Sequence, residues 1–289
     1  SSRQLTEVEI FSKSIVDLER AHPLLSEESL TPYLAPSSER VRPNRFAAGA
    51  LLARMHLYLG NWQQAEHYAS QVIASSRYAL VMNLDNVFLK NSQEAIWQFQ
   101  AVVPRYNSHA GGLIPVSGIP NQYSIAPSLA DSFEAGDLRK ASWMRIVAAG
   151  GQQYYYPAKF KVGQNAPAIT EYSMVLRLAE MYLVRAEARA KLGKTDEALM
   201  DLNILRQRAG LPALSIADQG LLLQAIGKER KLELFAEFGD RWMDLRRTKQ
   251  ADAVMPPVKG SSWSTHDQLY PIPQVELDRN SRLHQNPGY

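Results

Sequence analysis

The sequence predicts a mainly α-helical protein, with tetratricopeptide-like helical hairpins as a scaffold and long irregular loops and a few short strands on one face. Several segments carry apolar residues at three- and four-residue spacing, which is typical of amphipathic helices. In two places, one such segment is joined to the next by the same sequence pattern, Leu-Gly-x-x-x-x-Ala, at 59–65 and 192–198. Small residues at such positions let two helices pack closely, as they do in tetratricopeptide repeats.

The predicted helices follow from this spacing and from capping residues. Residues 5–22 form the first helix, and Asn44 is a suitable N-cap for a second helix over 44–59. Gly60 ends that helix and permits a tight turn into its partner, and Gly193 has the same position in the second hairpin. The two glycines are too far apart for a tandem solenoid with a repeat of about 34 residues.

The remaining segments are less regular. Residues 94–100 alternate between apolar and polar side chains like a strand, and glycines and prolines punctuate residues 101–128. We expect a single domain over 1–289, with helical-repeat elements at about 1–80 and 170–250. A loop-rich insert occupies about 95–170, and an extended C-terminal tail occupies 251–289.

Composition excludes several classes of function. The 289 residues carry a net charge of only +3 and show no clustered basic stretch, so nucleic acid is not an expected partner. Cysteine is absent, which excludes disulfides, thiolate metal sites and a cysteine nucleophile. No apolar run approaches the roughly 18 residues of a membrane span. The six histidines have no metal-ligand spacing, and we expect neither a metal nor a cofactor.

The insert contains the candidate binding residues. Flat aromatic faces stack on the C–H surfaces of sugars or extended peptides, while neighbouring amides pair with hydroxyl groups. The residues of this kind are Tyr106, Asn107, Tyr123, Trp143, Tyr154, Tyr155 and Tyr156. The alternative for the tyrosines at 154–156 is that they pack a strand onto the helices.

Catalytic groups are harder to find. Glu180 and Glu187, and likewise Glu229 and Glu233, are spaced as acid–base pairs could be, but arginines at helix-neighbour spacing favour ion pairs. Ser264-Thr265-His266 lacks the strand–turn–helix setting of a nucleophilic serine.

Read in order, these elements resemble the SusD/RagB family. The resemblance covers nearly the whole chain and is strongest near its end. Its motifs are Ala95–Phe99, Ser132–Arg139, Leu176–Ala188, Leu202–Gly210, Glu229–Phe235, Gly239–Arg247, Leu269–Pro273 and Gln285–Tyr289. Family members are usually longer, and Asp17–Ala21 resembles a helix from the middle of the family pattern. We therefore expect the N-terminal part to be missing here.

The resemblance implies non-catalytic capture of a nutrient, most often an oligosaccharide or polysaccharide, at the extracellular face of the outer membrane. The implied partner is a SusC-like TonB-dependent transporter that receives the ligand. The full-length protein would be lipid-anchored, through a segment absent from this chain. Two alternatives remain open: a peptide-binding helical-repeat scaffold and a glycan hydrolase.

Overall fold

The structure is a computed structural model that describes residues 3–100, 112–115, 124–163 and 168–289. In chain order its α-helices are α1 (Glu7–Ala21), α2 (Arg45–Leu59), α3 (Trp62–Ile73), α4 (Pro127–Ala130), α5 (Leu138–Trp143), α6 (Leu178–Lys191), α7 (Thr195–Arg208), α8 (Gln219–Glu233), α9 (Asp240–Arg247), α10 (Ala251–Val254), α11 (Pro256–Lys259) and α12 (Gln274–Arg279). Its strands are β1 (Ala95–Phe99), β2 (Met144–Ala149), β3 (Gln152–Pro157) and β4 (Ser173–Arg177). The mainly helical fold predicted from the sequence is confirmed.

Helices α2 and α3 form the first predicted hairpin. The Asn44 side chain accepts a hydrogen bond from the Ala47 backbone N–H at 3.0 Å, which caps α2. Gly60 ends the helix with φ +75°, a left-handed conformation that favours glycine. Ala65, the small side chain that the shared sequence pattern predicts at the crossing, is completely buried, and so is Ala53 on α2.

Helices α6 and α7 form the second hairpin, and α6 is the central helix of the scaffold. It packs against α3 of the first hairpin, against α7 and against α8. Alanines at its buried positions, such as Ala186 and Ala190, permit these close approaches. Arg189 on α6 donates to Glu66 on α3 at 3.1 Å, which adds a polar contact between the hairpins.

The strands form two small antiparallel pairs. Strand β1 pairs with β4, directly before α6, and confirms the strand predicted over 94–100. Strands β2 and β3 form a hairpin with Met144 opposite Pro157 and Ala149 opposite Gln152. Gly150 and Gly151 join the strands with positive φ angles of 59° and 75°, as a two-residue turn of this kind requires.

Two compact units divide the chain. One comprises residues 15–238 and holds both helical hairpins, and the other comprises residues 1–14 with 239–289. The predicted single-domain organisation stays a prediction. None of the helices in the described ranges combines the length and apolar character needed to cross a membrane.

The extended tail predicted over 251–289 is wrong in part. This stretch contains α10, α11 and α12, as well as short 3-10 helices at Gly260–Ser262 and Thr265–Gln268. The prediction took the prolines of this stretch as signs of an extended chain. In the structure, Pro256 starts α11 and Pro273 directly precedes α12. Proline is tolerated in the first turn of a helix, where its missing N–H has no partner to lose.

Candidate functional site

The β2–β3 hairpin sorts its three tyrosines onto two faces. Successive side chains of a strand point to opposite sides, so Tyr154 and Tyr156 share one face and Tyr155 lies on the other. Met144 and Pro157, which are on the same face as Tyr155, are buried. The face with Tyr155 is therefore the one that packs against the core.

For Tyr155, the alternative that the tyrosine packs a strand onto the rest of the protein is confirmed. Its ring packs against the core cluster that includes Phe88, Trp143 and Phe235. The Lys140 ammonium lies 6.0 Å from the Tyr155 ring centroid. Tyr155 remains half-buried, so a ligand contact for it stays a prediction, but packing explains its position.

Trp143 is a correction to the candidate binding residues. Its side chain is 0% exposed, its indole N–H donates to the Leu84 carbonyl at 3.0 Å, and its ring meets Phe88 edge-on at 5.7 Å. A ring covered on both faces has no surface for a ligand, so the prediction of ligand contact is wrong for Trp143. A tryptophan between a helix and a strand gives the same sequence signal whether it points inward or outward.

Tyr154 and Tyr156 lie on the opposite side of the hairpin, which we call the tyrosine face. Arg145 is directly across the strands from Tyr156, and Val147 is directly across from Tyr154. The Tyr154 hydroxyl donates to the Gln152 side-chain carbonyl at 3.3 Å. Both rings are partly exposed, and positions two apart on a strand are about 7 Å apart. The tyrosine face thus combines two aromatic rings, an amide and a guanidinium.

Tyr106, Asn107 and Tyr123 lie outside the described residues, and their roles stay predictions. Just after them, the Ile125 backbone N–H donates to the Tyr155 carbonyl at 2.7 Å.

Buried charges anchor both ends of the hairpin. Arg139 on α5 precedes β2, and Lys159 follows β3; both side chains reach acidic residues in or just after α8. We call the surrounding group the buried ion cluster. Its members are Glu94, Asp137, Arg139, Lys159, Arg177, Arg208, Glu229, Glu233 and Glu237. All are less than a tenth exposed.

Glu233 is the centre of the cluster. It is fully buried and accepts from Arg177 at 2.7 Å, from Arg139 at 3.0 Å, and from Arg208. Burial alone disfavours the charged carboxylate, but Arg208, Arg177 and Arg139 outweigh it and hold the pKa of Glu233 well below its usual range. One carboxylate therefore joins α5, β4 and α7 to the end of α8.

Lys159 has both charged and aromatic partners. Its ammonium donates to Glu237 at 2.5 Å and to the Glu233 carbonyl at 2.6 Å. The Phe235 and Trp143 ring centroids lie 4.3 and 4.6 Å away, at cation–π distance. Burial lowers the pKa of Lys159 to about 8, against the raising effect of Glu237.

The cluster confirms the structural interpretation of Glu229 and Glu233. Glu229 accepts from Arg139 at 2.5 Å, and burial together with Glu233 raises its pKa in spite of that partner. Of the remaining helix carboxylates, Glu180 pairs with Arg54 on α2 at 2.5 Å. Every carboxylate in the cluster is held by cations or backbone groups inside the protein, so the role of the cluster is structural. Through Arg139 and Lys159 it holds the two ends of the hairpin in place.

Sequence reasoning missed Glu94, Lys159 and Glu237 as members of the cluster. Glu94 directly precedes β1 and accepts from Arg177 and Arg208 at 2.8 and 2.7 Å. The available sequence signal was the position of Glu94 directly before the mostly apolar strand β1. A glutamate in that position is buried with the strand, and a buried charge needs partners. The identity of those partners depends on the tertiary fold.

Ser264, His266 and Asp267 contain the groups of a hydrolytic triad but form a capping arrangement. Ser264 Oγ lies 3.0 Å from His266 Nδ1, and Asp267 lies 3.5 Å from His266 Nε2. Ser264 and Asp267 form a reciprocal capping box, in which the Ser264 N–H donates to the Asp267 carboxylate at 2.6 Å. This capping explains the arrangement. Elsewhere, no group of three or more His, Asp or Glu residues in the described ranges is placed to hold a metal ion.

Comparison with known proteins gives the family. A model of the SusD family matches residues 134–289, which is more than half of the chain. The chain belongs to the SusD family. The matched stretch includes the tyrosine face, α6, α7 and the acidic end of α8. The family resemblance read from the sequence is thus confirmed.

Two curated relatives come from Formosa agariphila. The chain is 27% identical to SusD-like protein P38 over an alignment of 299 positions, gaps included, which covers 83% of this chain and 58% of that protein. It is 28% identical to SusD-like protein P2 over 98% of this chain and 65% of that protein. The chain thus spans about three fifths of the length of these relatives.

Solved structures agree on the fold. A SusD superfamily protein from Bacteroides vulgatus superposes with a TM-score of 0.79 at 20% identity, covering 99% of this chain and 69% of the other. Surface glycan-binding protein A from Bacteroides thetaiotaomicron, in complex with laminarihexaose, gives 0.78 at 21% identity, with coverage of 98% and 72%.

Proposed function

We propose that this chain binds a glycan at the outer surface of the outer membrane without cleaving it, and that the tyrosine face contributes to the binding surface. The observation that carries the proposal is the side-by-side placement of Tyr154 and Tyr156 on a hairpin of a SusD-family fold. Aromatic rings stack on the apolar faces of sugars, while the Gln152 amide and the Arg145 guanidinium offer partners for hydroxyl groups.

The anchoring of the hairpin supports binding through a preformed surface. Arg139 and Lys159 hold its two ends through buried ion pairs, and Tyr155 packs its inner side. A rigid surface loses little conformational entropy when a ligand binds. The partly exposed rings of Tyr154 and Tyr156 are therefore held in place before a ligand arrives.

The sequence around the hairpin supports binding over hydrolysis. A glycoside hydrolase needs two carboxylates about 5–10 Å apart across the scissile bond. No aspartate or glutamate occurs from Leu138 to Thr170, the segment that contains the whole hairpin. A relative in fold, surface glycan-binding protein A, is described in complex with laminarihexaose, which is consistent with glycan binding by this fold.

Delivery completes the proposal. The full-length protein would be lipid-anchored and would pass its ligand to a SusC-like TonB-dependent transporter, as membership of the family suggests. Modest affinity suits this role, because the ligand must leave the binding protein. The assembly is tested by affinity purification of the tagged full-length protein from outer membranes, with the untagged protein as the control. Failure of the transporter to purify together with the tagged protein contradicts delivery.

The binding test combines affinity gel electrophoresis and calorimetry with soluble polysaccharides. Stacking contributes about 1 kcal/mol or more per ring, so Tyr154→Ala and Tyr156→Ala should each weaken binding about five- to tenfold. Tyr33, which is 93% exposed in another loop, provides the matched control Tyr33→Ala. Unchanged affinity in the Tyr154→Ala and Tyr156→Ala variants contradicts a role of the tyrosine face.

A further inference from the structure

The segment that contains the tyrosine face has a one-sided charge. From Leu138 to Thr170 the sequence contains no acidic residue, although the chain as a whole has 29 acidic and 32 basic residues. The basic residues of the segment are Arg139, Lys140, Arg145, Lys159 and Lys161. The buried basic residues of this segment need acidic partners from elsewhere in the fold, whereas the exposed ones are stable in water and are available to a ligand.

Three of the five cations are compensated inside the protein. Arg139 pairs with Asp137, Glu229 and Glu233, and Lys159 pairs with Glu237. Lys161 lies 2.9 Å from the Asp85 carboxylate. Lys140 and Arg145 form no ion pair with any residue of the described ranges. They account for the charge that remains at the hairpin.

Of these two cations, Arg145 lies on the tyrosine face. It is directly across the strands from Tyr156, where paired Cβ atoms are about 5 Å apart. One guanidinium nitrogen, Nη1, donates to the Ala141 and Met144 carbonyls at 2.5 and 2.9 Å. These bonds hold the guanidinium beside the strand through a single nitrogen. Its other donors have no carboxylate partner among the described residues.

We propose that the glycan bound at the tyrosine face is anionic, with a carboxylate or sulfate group that contacts Arg145 while a neighbouring sugar ring stacks on Tyr156. This inference rests on the proposed function. A guanidinium presents its donors as a planar fork that matches a carboxylate or a sulfate oxygen pair. An aromatic ring alone does not distinguish a neutral sugar from an acidic one, so Arg145 supplies the selectivity.

Matched pairs of polysaccharides test the inference, because each pair shares a backbone and differs in charge. Polygalacturonate is compared with its methyl ester, and dextran sulfate with dextran, by affinity electrophoresis and calorimetry at low and high salt. We expect the charged member of at least one pair to bind about tenfold more tightly at low salt. That preference should shrink at high salt, because salt screens an exposed ion pair. The pair that shows the preference also tells carboxylate from sulfate.

Arg145→Gln should remove most of the preference for the charged member and should weaken binding of the neutral member much less, because glutamine keeps hydrogen-bond donors for hydroxyl groups but carries no charge. Arg20→Gln on α1, an exposed arginine without a carboxylate partner among the described residues, is the matched control and should change neither. Arg145→Lys should keep part of the preference, since lysine has the same charge but lacks the planar fork.

Three results overturn the inference. The first is that neutral polysaccharides bind as tightly as charged ones. The second is that Arg145→Gln weakens both members of a pair equally. The third is that Arg20→Gln abolishes the preference as fully as Arg145→Gln does. If neutral glycans bind as tightly as charged ones and Tyr154→Ala weakens that binding, the proposed function stands while the charge preference fails. Absence of binding to every polysaccharide, charged or neutral, overturns both.

Discussion

Replacing Glu233 with glutamine removes one negative charge from the centre of the buried ion cluster and changes the shape of the side chain very little. Glu233 contacts Arg139, Arg177 and Arg208. Removing one partner of a buried ion pair typically costs about 3–5 kcal/mol, because the remaining charge is left buried without compensation. All three arginines lose a contact at once, but each keeps another carboxylate, so we expect a loss at the lower end of that range, about 3 kcal/mol.

The assay is urea unfolding followed by tryptophan fluorescence, with thermal unfolding in parallel. For a unit of this size, each kcal/mol lowers the melting temperature by about 2–4 °C, so Glu233→Gln should lower it by about 6 °C or more. Glu197→Gln on α7 removes an exposed carboxylate and is the control, with an expected change within about 0.5 kcal/mol. A loss below about 1 kcal/mol for Glu233→Gln refutes the reasoning.

Three further predictions use the same assays. Lys159→Met should change the free energy of unfolding by less than about 1.5 kcal/mol, because burial already disfavours the lysine charge and Glu237 keeps Arg177; a loss equal to that of Glu233→Gln contradicts this. Trp143→Ala should cost about 3–5 kcal/mol, and an unchanged melting temperature would return Trp143 to the candidate binding residues. The folded-state pKa values of Glu233 and Glu237 are lowered, so their stabilisation is present above pH 4.5 and is lost as the pH falls through the folded-state values. Stability should therefore decline steadily below pH 4.5, and less steeply in Glu233→Gln; equal slopes for the two proteins contradict the assignment.

The helical scaffold could be predicted because its signals are local. Asn44 before α2, Gly60 after it and the alanines between them determine a capped helix and a close crossing from neighbouring residues alone. The strand β1 was also recognisable, from the alternation of apolar and polar residues over 94–100.

The site was less predictable, because its features depend on contacts between distant residues. Alternation along β3 separates Tyr154 and Tyr156 from Tyr155, but only the burial of Met144 and Pro157 shows which face packs inward. In the buried ion cluster, Arg177 pairs with residues that are 56 to 83 positions away. Sequence spacing along one helix cannot indicate such partners.

The most direct test of the proposed function measures binding and turnover in one experiment. The chain is incubated with a panel of charged and neutral polysaccharides, binding is followed by affinity electrophoresis, and new reducing ends are assayed in the same samples. We expect retardation on at least one polysaccharide, weakened by Tyr154→Ala and not by Tyr33→Ala, with no new reducing ends. Release of oligosaccharides, or equal retardation of the wild type and Tyr154→Ala, contradicts non-catalytic binding through the tyrosine face.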